Sequence, residues 1–216
     1  MRHMGAEGNR EKYHHPLPED VSKQLGQPAV EWLARFHLDV PTAIRRDIVW
    51  SERRQQLIFQ LGNCWQARNF ATILAREDST GGKKARAKNF TSGDVNECLH
   101  IYQSGSGGSD DLAVGEQQPS QTLVFVEDPV SAIRVAETGV ADAMPLLGSH
   151  LGTARLIAVA GLYKPARWLF WLDSDKLKES RAMCMRARMM GLSARTIWTA
   201  EDPKCFVNEE IIRILS

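Results

Sequence analysis

The sequence predicts an α/β fold, in which a mainly parallel sheet flanked by helices follows a smaller mixed α+β subdomain. The stretch from Trp168 to Leu172 is apolar and aromatic with no polar face, which is typical of a strand buried on both sides of a sheet. From residue 121 onwards, segments with strand and helix patterns alternate. Such alternation favours parallel strands joined by helices.

The parallel half opens with an apolar run that ends in Glu127, and Pro129 is well placed to begin the helix that follows. In chain order, the predicted strands cover residues 121–127, 143–148, 168–172 and 194–198, and the predicted helices cover residues 129–139, 153–162, 177–190 and 207–215.

The N-terminal half gives shorter and more mixed patterns. Its predicted elements are helices over residues 21–25, 27–36 and 41–45, then a strand, a turn and a strand within residues 48–60, and a further strand over residues 64–70. These elements together predict a small mixed subdomain ahead of the parallel sheet.

Carboxylates follow two of the predicted parallel strands. Glu127 ends the first, and Asp173 and Asp175 follow the third. The carboxyl ends of parallel strands share one edge of the sheet, where ligands bind. If the chain stays extended, Asp173 and Asp175 share a face, and their repulsion calls for a cation such as Mg²⁺ or Mn²⁺. In the alternative interpretation, both are solvated loop residues.

The set formed by Glu127, Gly148 and Asp173-x-Asp175 resembles the Toprim domain of primases, topoisomerases and some nucleases. The resemblance spans roughly residues 121–205. It implies that Glu127, Asp173 and Asp175 are catalytic and hold Mg²⁺ or Mn²⁺ for chemistry at a phosphodiester. It also implies that Asp202, after the last strand, is a fourth metal ligand, although a capped turn is the alternative.

The N-terminal half resembles the segment before the Toprim domain in the catalytic core of bacterial and phage DnaG-type primases. The resemblance rests on Leu57-Ile58-Phe59, on Trp65-Gln66-Ala67-Arg68 and on the segment from Lys88 to Gly93. It implies that Arg68 and Lys88 face the template or the incoming nucleotide.

A basic loop follows two glycines in this half. Its cations are Lys83, Lys84, Arg86 and Lys88. Such a loop can neutralise the phosphates of a nucleic-acid backbone without reading the sequence of bases. A solvated flexible loop is the alternative interpretation.

Three positions depart from the family pattern. Asp128 stands where the family usually has glycine, Ser131 replaces a further acid, and Lys176 follows the paired aspartates. The side chain of Asp128 is expected on the face opposite Glu127, and Lys176 is expected to offset the charge of the aspartates. These departures favour a weakened metal site.

Aromatic and methionine residues are mostly assigned to the core. Trp168, Trp171 and Trp198 lie on predicted strands, and Trp65 is the candidate for stacking on a nucleobase. The methionines of the long helix are expected to pack in the core; they are Met183, Met185, Met189 and Met190.

Four segments are predicted: residues 1–16 are a flexible N-terminus that can include a tag scar, residues 17–102 form the mixed subdomain, residues 103–120 are a flexible linker or a long loop at the rim of the site, and residues 121–216 form the Toprim domain.

The composition is that of an ordinary globular protein: 216 residues, 43% hydrophobic and 25% charged, with a net charge of +1. Any nucleic-acid surface must therefore be local. The four cysteines are scattered with no Cys-x-x-Cys, which predicts no zinc site, no disulfide and a cytoplasmic location, in the host cytoplasm if the protein is viral. The apolar runs are too short to span a membrane.

The expected function is that of a DNA primase core in DNA replication, a DNA-directed RNA polymerase that joins ribonucleoside triphosphates on single-stranded DNA. A replicative helicase and a separate zinc-binding module are the further partners that the resemblance implies. The alternatives are a Toprim nuclease that hydrolyses phosphodiesters and a non-catalytic module that binds single strands.

Overall fold

The computed structural model describes residues 15–70, 89–95, 97–105 and 120–216, and it contains two β-sheets. The first sheet is antiparallel, and its strands follow chain order. They are β1 (Val21–Ser22), β2 (Ile48–Ser51), β3 (Gln56–Leu61), β4 (Cys64–Asn69) and β5 (Asn89–Ser92). Two helices stand between β1 and β2 in the chain, α1 (Gln27–Ala34) and α2 (Val40–Arg45).

The helix predicted over residues 21–25 is wrong. Val21 and Ser22 instead pair with Ser51 and Trp50 at the edge of the sheet. The acidic residues before Val21 satisfy a helix-start pattern, but Asp20 accepts hydrogen bonds from the hydroxyl of Ser51 and the backbone N–H of Arg53. These contacts tie the segment to β2 and to the turn after it.

The second sheet is parallel throughout, in the order β7-β6-β8-β9. Its strands are β6 (Thr122–Val126), β7 (Asp142–Pro145), β8 (Arg167–Phe170) and β9 (Ala194–Thr196). The helices of this half are α3 (Pro129–Ala136), α4 (Thr153–Leu162), α5 (Leu177–Met189) and α6 (Asn208–Leu215). The predicted fold class is confirmed.

Apolar side chains cover both faces of the parallel sheet. On one face, the ring of Phe125 stacks on the rings of Trp168 and Phe170, with centroids 5.3 and 4.9 Å apart. On the other face, Val124 and Leu169 pack into a second cluster. Burial on both sides is the reason that these strands read as continuous apolar runs.

The two sheets share a core. Phe59 of β3 belongs to the same cluster as Val126 and Val130 of the parallel half. Buried guanidinium groups add cross-links, since Arg155 donates to the carbonyl of Cys98, and Arg134 donates to that of His37. This shared core holds the end of β4 opposite the carboxyl ends of the parallel strands.

Cys64 and Cys98 form a disulfide, contrary to the prediction that none is present. The two residues are 34 positions apart in the sequence. Spacing along the chain carries no information on such a pair, because the loop after β5 brings Cys98 back beside β4.

Assignments of aromatic and methionine residues to the core were partly wrong. Trp168 and Trp171 are buried, but Trp198 is 59% exposed. Met183 is buried, whereas Met185, Met189 and Met190 are exposed. The reason is that β9 is an edge strand and α5 packs on the sheet by one face only.

Some predictions on organisation lie outside the described residues. The described residues do not include residues 1–14 and 106–119, which contain most of the predicted flexible terminus and most of the predicted linker. Before the linker, Tyr102 forms a β-bridge with Ala143. In the described part of the chain, no helix combines the length and apolar character that crossing a membrane requires.

Candidate active site between the two sheets

A cavity of about 330 Å³ opens between the two sheets at the carboxyl ends of β6 and β8. Both halves of the chain line it. From the first half come Trp32, Phe36, Phe59, Gln66, Arg68 and Thr91, and from the second half come Glu127, Asp128, Pro129, Val130, Leu147, Gly148, Asp173 and Lys204.

Glu127 and Asp173 reach this cavity from neighbouring parallel strands. Glu127 directly follows β6, and Asp173 follows β8 after two further residues. One buried oxygen of each carboxylate, Glu127 Oε2 and Asp173 Oδ1, has no hydrogen-bond partner among the described residues. Two buried carboxylate oxygens without donors in one cavity are suited to a cation.

Burial perturbs both of these carboxylates. It raises the pKa of Asp173 to about 7; Lys204 opposes this change, while Asp202, Glu127 and Asp128 add to it by repulsion. Burial also raises the pKa of Glu127, and the charge of Asp128 contributes in the same direction. A bound cation would relieve the repulsion and favour the ionised forms.

Lys204 lies among the carboxylates. Its Nζ is 2.8 Å from Asp128 Oδ2, 3.1 Å from Asp202 Oδ2 and 4.0 Å from Asp173 Oδ2. Although burial disfavours the charge of this ammonium, the surrounding carboxylates raise the pKa of Lys204 overall. The protein therefore provides its own cation at one side of the acidic set.

Asp128 lines the same cavity as Glu127, so the expectation that it points away is wrong. Its carboxylate accepts hydrogen bonds from the backbone N–H and the hydroxyl of Ser131 and thereby caps α3. Strand β6 ends at Val126, and the strict alternation of faces therefore ends before these residues. Asp128 serves as helix cap and as partner of Lys204.

Asp175 does not share a face with Asp173. The segment from Ser174 to Lys176 is a 3-10 helix rather than an extended strand. The side chain of Asp175 is 70% exposed, and its carboxylate pairs with Lys176 Nζ at 2.7 Å. Asp175 is not among the residues that line the cavity. Lys176 thus pairs directly with Asp175, and its charge also opposes the rise in the pKa of Glu127.

Asp202 precedes a second 3-10 helix (Pro203–Cys205) but forms no side-chain cap hydrogen bond there. Its carboxylate pairs with Lys204 instead. Asp202 therefore lies beside the acidic set without lining the cavity.

The opposite wall of the cavity is aromatic and cationic. The guanidinium carbon of Arg68 lies 4.2 Å from the ring centroid of Trp32, and Phe36 lines the wall beside them. Nε of Arg68 is buried without a hydrogen-bond partner in the described part of the chain. A guanidinium held on an indole ring can bind phosphate or stack on a base.

Sequence reasoning chose the wrong tryptophan for this wall. Trp65 is 6% exposed, and its indole N–H donates to the carbonyl of His15. Trp32 and Phe36 occupy the position instead. The detectable signal was their spacing of four residues, although α1 ends at Ala34 and Phe36 lies in the turn that follows it. Lys204 was also not identified from the sequence as a residue of the site. The available signal was the position of this cation two residues after Asp202.

The basic loop with Lys83, Lys84, Arg86 and Lys88 lies outside the described residues, so its predicted role stays a prediction. The described end of this segment is β5, which pairs with β4 next to Arg68.

The loop after β7 approaches Glu127 with an unusual backbone. Leu147 has a φ of 61° and Gly148 a φ of 147°, and the N–H of Gly148 donates to the carbonyl of Glu127 at 3.3 Å. A leucine in the left-handed region stores strain, which commonly occurs at functional sites. This contact fixes the backbone beneath the carboxylate.

The residues fit a divalent cation held by few protein ligands. Among the residues that the structure describes, no three His, Cys, Asp or Glu side chains form a ready-made metal cage. Mg²⁺ in phosphate chemistry usually takes one or two carboxylates and completes its shell with water and substrate oxygens. The oxygens of Glu127 and Asp173 that have no hydrogen-bond partner among the described residues meet that requirement.

Comparison with known proteins places this geometry in context. No protein-family model and no curated protein matches the sequence significantly. Solved structures that resemble the fold include the Aquifex aeolicus primase with its zinc-binding and RNA polymerase domains and the DnaG primase catalytic domain bound to single-stranded DNA.

The similarity to both structures lies in the fold rather than in the sequence. The Aquifex aeolicus primase gives a TM-score of 0.58 at 12% identity, over 88% of this chain and 55% of that chain. The DnaG catalytic domain gives a TM-score of 0.52 at 13% identity, over 88% of this chain and 59% of that chain. The chain thus spans between half and two thirds of these neighbours, and it has the fold of a primase catalytic domain.

Proposed function

We propose that this chain is a primase-type catalytic core that joins ribonucleotides on a single-stranded DNA template. Its parallel half corresponds to a Toprim domain, and its antiparallel half supplies the opposite wall. The observation that carries the proposal is the cavity lined by Glu127, Asp173 and Arg68, in which one buried oxygen of each carboxylate has no hydrogen-bond partner among the described residues. Acid on one wall and a cation on the other suit a metal-bound triphosphate.

The roles of the residues follow from their positions. Glu127 and Asp173 hold a magnesium or manganese ion, and Asp175 contributes from its exposed position outside the cavity lining. When bound, the ion lowers the pKa of the attacking hydroxyl and neutralises charge on the triphosphate. Arg68 holds the nucleotide from the opposite wall, with its guanidinium kept in place by Trp32.

The test is the synthesis of labelled short RNA from ribonucleoside triphosphates on mixed single-stranded DNA, with magnesium or manganese. We expect products from the unmodified protein and none from the Asp173→Asn variant, whose circular dichroism spectrum should be unchanged. Equal product from both proteins would contradict the assigned role of Asp173.

Two other outcomes would replace the proposal. Metal-dependent breakdown of the template without incorporation would indicate a nuclease, because the same carboxylates can activate water. Binding of single-stranded DNA with no binding of magnesium would indicate a non-catalytic module. The contacts of Lys204 with three carboxylates favour this second alternative, since its charge already compensates part of the acidic set.

A further inference from the structure

A second groove lies on the outer side of the parallel half, between α5 and the edge strand β9. Its volume is about 470 Å³. The lining residues are Arg181, Cys184, Met185, Arg188, Arg195 and Thr196. The three arginines are exposed, and no carboxylate is among the described lining residues.

Among the residues that the structure describes, no ion pair involves Arg181, Arg188 or Arg195. Arg188 donates from Nε to the carbonyl of Ala194 at 2.7 Å, which fixes the guanidinium beside the edge strand. Three like charges that converge without compensation repel one another and attract a polyanion.

Exposed apolar groups accompany this charge. Met185 is 60% exposed, and Trp198, two residues beyond the lining residue Thr196, is 59% exposed. A solvated cationic surface gains nothing from exposing an indole ring, whereas a groove that tracks a nucleic-acid strand commonly pairs cations with an aromatic platform for bases.

The groove leads towards the candidate active site. The indole N–H of Trp198 donates to the carbonyl of Ser174 at 3.4 Å, and Ser174 stands between the two aspartates after β8. A strand that leaves the cavity over the tip of the parallel sheet would meet Trp198 first and the arginines of α5 next.

We propose that the groove between α5 and β9 binds a single strand of nucleic acid, with Arg181, Arg188 and Arg195 on its phosphates and Trp198 stacked on a base. The inference rests on the proposed function for the identity of the polyanion. It adds a binding surface outside the cavity, which would lengthen the track of the template beyond the site of synthesis.

The test is the affinity for a fluorescently labelled oligothymidylate, measured by anisotropy over a range of salt concentrations. For the triple variant R181Q/R188Q/R195Q we expect at least about tenfold weaker binding at low salt. The slope of log K against log salt should fall by about 2, since each phosphate contact on a single strand contributes about 0.7. For Trp198→Leu we expect about tenfold weaker binding.

The matched control removes the same charge from exposed arginines elsewhere, in the variant R53Q/R54Q/R213Q. Equal losses of affinity in the two triple variants would overturn the proposal that this groove binds the strand. They would leave the proposed primer synthesis unaffected. Failure of the unmodified protein to bind the oligonucleotide would overturn the proposed function as well. Displacement of the oligonucleotide by polyglutamate at equal charge concentration would indicate an acidic peptide as the ligand instead.

A second measurement needs no substitution. An oligonucleotide that carries 5-iodouracil should cross-link to Trp198 or Met185 of the unmodified protein under ultraviolet light. Cross-links confined to the cavity, with none on α5, β9 or Trp198, would overturn the groove even if a variant failed to fold.

Discussion

Lys204 Nζ donates a 2.8 Å hydrogen bond to Asp128 Oδ2, and this contact joins the 3-10 helix after β9 to the start of α3. The pair is mostly shielded, since the side chains of Lys204 and Asp128 are 17% and 20% exposed. Because the same ammonium is near Asp173 and Asp202, its charge compensates a set of acids rather than a single one.

Removal of this ammonium should leave the acids to repel one another. For Lys204→Met we expect a loss of about 2–3 kcal/mol in the free energy of unfolding near neutral pH, measured by urea denaturation without divalent ions. Magnesium should recover more stability in the variant than in the unmodified protein, because it replaces the lost charge.

The matched control is Lys23→Met, which removes an ammonium 3.0 Å from Asp47 at an exposed position. Its cost should stay below about 1 kcal/mol. Similar losses in the two variants would show that Lys204 is an ordinary surface cation.

The aspartates after β8 should differ in their effect on metal binding. Asp173 lines the cavity with a buried oxygen that no described residue donates to, whereas Asp175 is exposed and paired with Lys176. In calorimetric titration with magnesium or manganese, Asp173→Asn should weaken binding by more than about 100-fold and Asp175→Asn by about tenfold or less. A larger loss of affinity in Asp175→Asn than in Asp173→Asn would place the ion at the exposed Asp175 rather than in the cavity.

Arg68 should act on the nucleotide through a planar stacked group. Arg68→Lys keeps the charge but loses the guanidinium plane over Trp32. We expect both Arg68→Lys and Arg68→Gln to raise KM for ribonucleotides about tenfold with a smaller effect on kcat. Arg35→Gln removes a nearby exposed cation and is the control. Full rescue by lysine would mean that charge alone matters.

His100 should make the protein less stable in mild acid. Both of its ring nitrogens are buried with no hydrogen-bond partner among the described residues, and burial, helped by Arg46, lowers the pKa of His100 to about 4. The unfolded chain takes up a proton on His100 near pH 6.5, whereas the folded chain does so only near pH 4. The folded state therefore keeps its full free energy of unfolding above pH 6.5 and loses part of it as the pH falls towards 4. The maximum loss is about 3 kcal/mol.

The measurement is the free energy of unfolding between neutral and mildly acidic pH. His100→Phe should flatten the dependence on pH, and His150→Gln, at an exposed position, should leave it as in the unmodified protein. If the free energy of unfolding of His100→Phe varied with pH as steeply as that of the unmodified protein, His100 would not be the cause of the loss of stability in acid.

The parallel half was predictable because its pattern arises locally. Strands buried on both faces must be continuous apolar runs, as residues 123–126 of β6 are, and a proline at the first turn marks α3. The position of Glu127 and Asp173 at one edge follows from parallel order alone. The N-terminal edge strand was missed since Val21–Ser22 has only two residues and depends on pairing with β2.

The side chains around the site were less predictable, because contacts between distant segments decide them. Trp65 and Trp198 both look like strand residues, yet one is buried beneath the carbonyl of His15 and the other lies beyond an edge strand. The alternation of faces also stops where a strand ends, which brought Asp128 into the cavity and turned Asp175 out of it.

The most direct measurement of the central claim is extension of an RNA primer, already annealed to a DNA template, by one labelled ribonucleotide. This reaction isolates nucleotidyl transfer from the start of synthesis. With magnesium or manganese, the unmodified protein should add the nucleotide, and Asp173→Asn and Glu127→Gln should not, while Lys23→Met should remain active. No addition by the folded, metal-bound unmodified protein, or equal addition by Asp173→Asn, would contradict the account.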